Sequence, residues 1–263
     1  MRCDRCGGER FARAGRDRHG RQLHRCAGCG RRVTARSASA FSGYRFPDEV
    51  IALAVCWYLR YRLSYADLAE LLAERSVVVD PSTLYDWVQA FAPRFVEAAR
   101  AHRSPVTTKW FVDETLLKIG RRWRYVFQAI DEAGQIIDVY LSDHRDRAAA
   151  QTFFEQALVS TGTRPSRVTS DKAKCYPPAL RAVLPKAEHR TSKFLNNRLE
   201  RDHQHLKGRV RPMRRFKCAG TASTFCRGHA LIRNLRQGFS ALTATIAPRR
   251  RLATAWPMLA ATL

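Results

Sequence analysis

The chain has 263 residues, room for two or three units of ordinary domain size, and 45% of them are hydrophobic, so a sizeable core can form. Its longest apolar run, around Val50–Leu59, stops well short of the ~20 residues that a membrane helix needs. No secretory signal is read before the basic N-terminus, so membrane and secreted classes are set aside and a cytoplasmic protein is expected.

Charge is the strongest bulk feature: 47 Lys and Arg against 23 Asp and Glu give a net +24. The excess is uneven. Residues 1–36 hold 11 Arg against 3 acids, and residues 186–251 hold 17 Lys and Arg against 3 acids. The 149 residues between them are near balance, with 19 basic and 17 acidic side chains. Two basic blocks around a neutral middle point to a polyanion gripped in two places. The plain alternative is an arginine-rich composition set by codon usage.

At the N-terminus, Cys3 and Cys6 form one C-x-x-C knuckle, and Cys26 and Cys29 form another after 19 intervening residues. Such spacing in a reduced compartment predicts one structural Zn²⁺ held by four thiolates and closed to substrate. Residues 1–36 are thus expected to be a zinc ribbon, folded by its metal. The remaining Cys56, Cys175, Cys218 and Cys226 are scattered and read as ordinary thiols.

Residues 45–100 read as helical. The first helix spans about Pro47–Tyr61. A second starts at Ser64, with Asp67 three residues on as in a capping box, and a third starts at Asp80-Pro81. The pattern fits a helix-turn-helix whose last helix reads DNA. Ser82, Thr83, Tyr85 and Gln89 are the candidate contacts; Leu84, Trp87, Val88 and Phe91 are candidate core. A helical spacer is the competing reading.

Beyond Lys109 the periodicity becomes strand-like. Trp110–Asp113, Trp123–Ile130 and Gln135–Leu141 read as consecutive strands, with Gly120 and Gly134 in the turns. A helix bearing Phe153 and Phe154, a strand at Arg167–Ser170 and a helix from about Pro178 to Leu184 follow. This β-β-β-α-β-α order is that of an α/β, RNase H-like mixed sheet, expected over residues 107–245. Asp113 and Asp171 each close a short strand-like run. Glu200 lies on a later helix, on one flank with His203 and Lys207, while Leu195, Leu199 and Leu206 form another stripe that includes Asp202. Asp202 is therefore expected to be structural, paired with backbone or an arginine. His203 and His205 read as phosphate contacts more readily than as proton-transfer groups. The basic run Arg209, Arg211, Arg214, Arg215 and Lys217, with Met213 and Phe216 interleaved, can follow phosphates or be a solvated face. A later helix is expected around Thr221–Leu242. The uncharged tail containing A-W-P-M-L-A is a weak interface candidate.

The segments W-F-V-D-E-T-L-L-K-I-G, S-D-K-A-K-C-Y-P and N-N-R-L-E-R-D-H-Q-H-L-K-G-R-V-R-P-M-R-R-F-K resemble the insertion-sequence-six family of DDE transposases over roughly residues 40–240. The resemblance implies Asp113, Asp171 and Glu200 as catalytic acids holding two Mg²⁺, with Mn²⁺ as a substitute, and Lys207 near the DNA end. It also implies replicative transposition through cointegrates, terminal inverted repeats and a working homodimer or larger assembly. The basic charge makes double-stranded DNA (element ends and target) the expected partner, and the expected location is cytoplasmic and nucleoid-associated. The 29 residues between Asp171 and Glu200 are fewer than the family pattern suggests, and the deficit falls around Pro185–Thr191. Two other readings remain: a transposase-derived DNA-binding protein without catalysis, and a nuclease of RNase H type without strand transfer.

Overall fold

The computed structural model describes residues 2–17, 20–192, 197–213 and 216–263. A small antiparallel sheet opens the chain, with β1 (Phe11–Arg16), β2 (Gln22–Cys26) and β3 (Arg32–Val33) in that order. Its two cysteine knuckles repeat one backbone pattern. The N–H of Cys3 donates to the Gly8 carbonyl and that of Gly7 returns to Cys3, at 2.9 and 2.8 Å. Cys26 with Arg31, and Gly30 with Cys26, do the same at 2.9 Å each. Gly7 and Gly30 sit at φ of +71° and +73°, where a side chain would be strained.

Three helices follow: α1 (Asp48–Arg60), α2 (Tyr65–Ala73) and α3 (Pro81–Arg100). Their starts obey the local chemistry. Ser64 accepts from the Asp67 N–H, and the Asp67 carboxylate accepts from the Ser64 N–H at 2.8 Å, closing the expected capping box. Asp80 caps α3, with Pro81 in its first turn. Leu84, Trp87, Val88 and Phe91 are all buried, as expected for one apolar stripe.

The main sheet contains β4 (Lys109–Ile119), β5 (Arg122–Asp131), β6 (Ile136–Ser142), β7 (Arg167–Ser170) and β8 (Glu188–Thr191), in the spatial order β6-β5-β4-β7-β8. The first three are antiparallel, whereas β7 and β8 run parallel to β4. Between them come α4 (Arg147–Thr161) and α5 (Tyr176–Val183), and after the sheet α6 (Asn197–Val210), α7 (Ala219–Gln237) and α8 (Arg251–Ala261). A mixed five-stranded sheet with this order and helices on both faces is the RNase H-like architecture.

Two cores flank the sheet. Trp110, Val112, Phe127 and Val168 pack with Phe153, Phe154 and Tyr176 of α4 and α5. On the other face, Leu117, Ile119, Val126 and Val139 join Leu199 and Leu206 of α6, Phe225 and Ile232 of α7, and the buried residues of α1–α3. The helical region therefore shares its core with one face of the sheet. The C-terminal tail is internal too: Trp256 of α8 stacks on Phe95 at 4.1 Å and donates to the Ala52 carbonyl at 2.8 Å. Among the described residues, no helix is long and apolar enough to cross a membrane.

Candidate active site

Strand register builds the site. In the parallel pair, Val112 of β4 stands opposite Ser170 of β7. The next residues on each chain are Asp113 and Asp171, and adjacent strands are only ~4.8 Å apart. Asp113 does not close its strand, as the sequence suggested. It lies inside β4, which continues to Ile119, while Asp171 directly follows β7.

Glu114 completes the group. One carboxylate oxygen from each of Asp113, Glu114 and Asp171 lies within 4.8 Å of the others. Alternation along β4 turns Glu114 toward α5, where the Tyr176 hydroxyl donates to it. Arg145, in the turn between β6 and α4, pairs with Glu114 and donates to Asp171 at 2.8 Å. The Asp171 carboxylate also accepts from the Ala173 N–H at 2.9 Å, and the Asp113 carboxylate from the Glu114 N–H at 2.9 Å. Burial, then the charges of Glu114 and Asp171, push Asp113 up to about 7. Glu114 is also raised, chiefly by burial, against the opposing effects of Tyr176 and Arg145. Three crowded carboxylates, with one arginine between two of them, form a donor set suited to a hard divalent cation.

Glu200 occupies a different position. Its helix packs on β4 and β5, on the face where Phe111, Leu117 and Ile119 share a core with Leu199 and Leu206. By alternation Asp113 points to that same face. The Glu200 side chain itself is exposed and is not one of the clustered carboxylates. Sequence reasoning set Glu114 aside because alternation turns it away from the Asp113 face, and it missed Arg145 and Tyr176, whose signal was position alone, beside the ends of β6 and β7.

Other expected residues scatter. Asp202 is buried and paired with Arg233, whose Nε donates to it at 3.1 Å. His203 does not share an open flank with Glu200: it is buried, and burial, with Lys207 pushing the same way, lowers it to about 4. It is therefore no surface phosphate contact. Lys207 is half-buried and Arg211 exposed, whereas Arg209 is buried rather than part of a surface run. Arg214, Arg215 and Leu195 lie outside the described residues. On α3, Ser82 and Tyr85 are exposed, and Thr83 and Gln89 half-buried. Ser82 and Tyr85 line a cleft of about 920 Å³ that also touches Pro212, Met213 and Lys217.

The knuckle cysteines converge. Cys3 lies 3.5 Å from Cys29 and Cys6 3.5 Å from Cys26, sulfur to sulfur. All four thiols lie mutually within 4.8 Å. Zn–S bonds of ~2.3 Å in a tetrahedron set sulfurs roughly 3.8 Å apart, so the set fits one Zn²⁺. The N–H groups of Arg5 and Cys6 lower the Cys3 thiol to about 6, favouring the thiolate that a metal takes.

An RNase H-like sheet with clustered carboxylates at its centre is the arrangement of metal-dependent enzymes that cut or join phosphodiesters, and among these the chain's family match and relatives assign it to the DDE class of polynucleotidyl transferases. A DDE-domain family model matches residues 107–239. The transposase for insertion sequence-like element IS431mec of Staphylococcus aureus is 37% identical over 189 residues, covering 70% of this chain and 83% of that protein. The transposase for insertion sequence element IS257 in transposon Tn4003, from the same species, is 36% identical over the same span. Among solved structures, the catalytic core of BIV integrase gives a TM-score of 0.39 at 14% identity, over 58% of this chain and 98% of that one. The HTLV-2 integrase core in complex with magnesium gives 0.37 at 14%, over 51% and 88%. The chain belongs to the insertion-sequence-six family of DDE transposases.

Proposed function

We propose that this transposase binds the terminal inverted repeats of its element as double-stranded DNA, nicks their 3′ ends and transfers them into target DNA. The observation that carries this is the β4–β7 register, which sets Asp113 beside Asp171, with Asp113 raised to about 7 by burial and its carboxylate neighbours. Water attacks the phosphodiester first and releases a 3′-OH. That 3′-OH then attacks a target phosphodiester and displaces a target 3′ oxygen. In our reading Asp113, Asp171 and Glu200 hold two Mg²⁺, for which Mn²⁺ can substitute. Bound there, such cations activate an oxygen nucleophile and stabilise the leaving oxygen.

The division of labour follows the chain. Residues 1–36 form a zinc ribbon, 45–100 the helix-turn-helix reader, and 107–245 the catalytic unit. Ser82, Thr83, Tyr85 and Gln89 read DNA from α3. Lys207, Arg209, Arg211, Arg214 and Arg215 supply positive charge after the glutamate, and the protein works as a dimer or larger assembly on DNA in the cytoplasm.

The exposed Glu200 favours one rival, a transposase-derived DNA-binding protein without catalysis. Purified protein incubated with Mg²⁺, duplexes carrying the flanking ends and a target plasmid separates the readings. Joined products from wild type and Glu114→Gln, but not from Glu200→Gln, support the proposal. Loss in Glu114→Gln with retention in Glu200→Gln assigns the third acid to Glu114. Specific end binding without nicking or joining by wild type supports the non-catalytic rival.

A further inference from the structure

A second charged cavity lies away from the carboxylates, between the end of α1, α6 and α7. It has a volume of about 350 Å³ and is lined by five arginines, two histidines and Tyr61, with no acidic side chain among the described residues that line it. Arg209 and His229 lie deep in it, only 5% and 8% exposed. One terminal nitrogen of Arg209 donates to the Tyr58 carbonyl at 2.6 Å, and its guanidinium lies 5.3 Å from the centre of the Phe225 ring. Its Nε and other terminal nitrogen are buried without a hydrogen-bond partner. His229 approaches the Leu59 carbonyl, yet neither ring nitrogen makes a bond of normal geometry. The two unspent donors of Arg209 are sealed from solvent and costly to bury, so Arg209 meets the cavity as a fixed positive charge rather than through those two atoms.

The rim repeats the same charge. Arg62 and Arg236 are exposed and Arg60 half-buried at the mouth. Arg62 lies along α6 where Gly208 leaves room, since a Cβ at Gly208 would stand 3.4 Å from its terminal nitrogen. Arg233, at the margin, is already engaged by Asp202. Burial lowers Arg209 to about 10, against the opposing effect of Tyr58, and the charges of Arg62 and Arg60 push the same way as burial. Through His205 and Arg233 the cavity adjoins a second cleft that includes Arg201 and the Asp202 carboxylate, which Arg233 pairs.

We propose that this cavity grips a backbone phosphate of duplex DNA, with Arg209 as its floor and Arg62 and Arg236 as its rim. The inference rests on the transposase reading above and adds an anchoring point to it. At 100° per residue, Arg209 and His205 lie roughly 140–180° around α6 from Glu200, so this phosphate is not the one being cut. A free inorganic anion needs only the floor. The exposed rim arginines and the adjoining basic cleft suit a polymer whose neighbouring phosphates continue past the mouth.

The test uses the full-length protein and the double variant Arg62→Ala, Arg236→Ala, because both side chains are exposed and Arg209 itself supports the core. Fluorescence anisotropy across a salt series measures binding to an element-end duplex and to an unrelated duplex of equal length. The variant is expected to bind both about tenfold more weakly, with the slope of log affinity against log salt shallower by about one to two. Wild-type affinity and slope in the variant overturn the proposal while leaving the transposase reading intact. Thermal stabilisation by inorganic phosphate, kept in the variant together with wild-type DNA binding, makes this a free-anion pocket and also overturns it. A wild type that binds neither duplex overturns the functional reading and this inference together.

Discussion

A charged side chain leaves water only with a partner, and Asp202 shows how α6 uses that rule. Its carboxylate is 6% exposed and held by Arg233 of α7, which is 13% exposed at the side chain. Removing one partner of a buried ion pair leaves the other uncompensated, at a cost of roughly 3–5 kcal/mol. Asp202→Asn is therefore expected to lower the urea midpoint by an amount corresponding to about 3 kcal/mol, while Glu200→Gln leaves it nearly unchanged. If Asp202→Asn kept its stability but lost Mg²⁺-dependent joining, the ligand role would pass from Glu200 to Asp202. The helical pattern alone placed Asp202 in the buried stripe with Leu199 and Leu206, and the structure agrees. It did not place His203 there. The stripe is wider than leucine spacing indicates, because α6 packs on the sheet while Arg209 reaches Tyr58 of α1 and Asp202 reaches α7.

At the scale of elements, legibility followed the strength of local chemistry. The capping box at Ser64, the Asp80-Pro81 start and the β7 strand carry side chains that bias one backbone state, and each appears where expected. Two elements escaped. β8 is Glu-His-Arg-Thr, an edge strand with no apolar alternation, and its charge suits an edge that must not pair further. It occupies the stretch where the sequence suggested a trimmed loop. α8 carries Pro257 within it and was visible only as an uncharged tail. The ribbon depends on something the chain alone does not supply. Residues 2–36 bury little beyond Cys3, Cys26 and Val33, so in the proposed zinc ribbon metal binding, worth roughly 10–16 kcal/mol in zinc-finger peptides, would be the folding energy. Chelation is expected to collapse amide protection over residues 2–36 in hydrogen exchange and leave α1 and β4 protected. Retained protection in the ribbon after verified zinc removal would sink the assignment.

For the whole molecule, one core joins α1–α3, a face of the sheet and α6–α8, so a titrating group buried within it acts on global stability. His203 is lowered from 6.5 to about 4 by burial. Between those values the unfolded chain takes up a proton that the folded chain refuses. Stability is thus fully present above about 6.5 and is lost as pH falls toward 4. At pH 5 the loss from this one residue is about 2 kcal/mol. His229, lowered to about 3 chiefly by burial, has the same sign. Asp113 has the opposite one: its folded value of about 7 lies above its ordinary 3.8, so protonation on acidification favours the folded state. The total curve therefore mixes opposing slopes, and a wild-type profile alone does not isolate the histidine. The difference between wild type and His203→Leu does, because the carboxylates are common to both. Urea unfolding at pH 7 and pH 5 is expected to show wild type losing about 2 kcal/mol more than His203→Leu over that interval. Equal losses would mean that His203 protonates as readily in the folded protein as in the unfolded chain, and that α6 does not seal that face of the sheet from water.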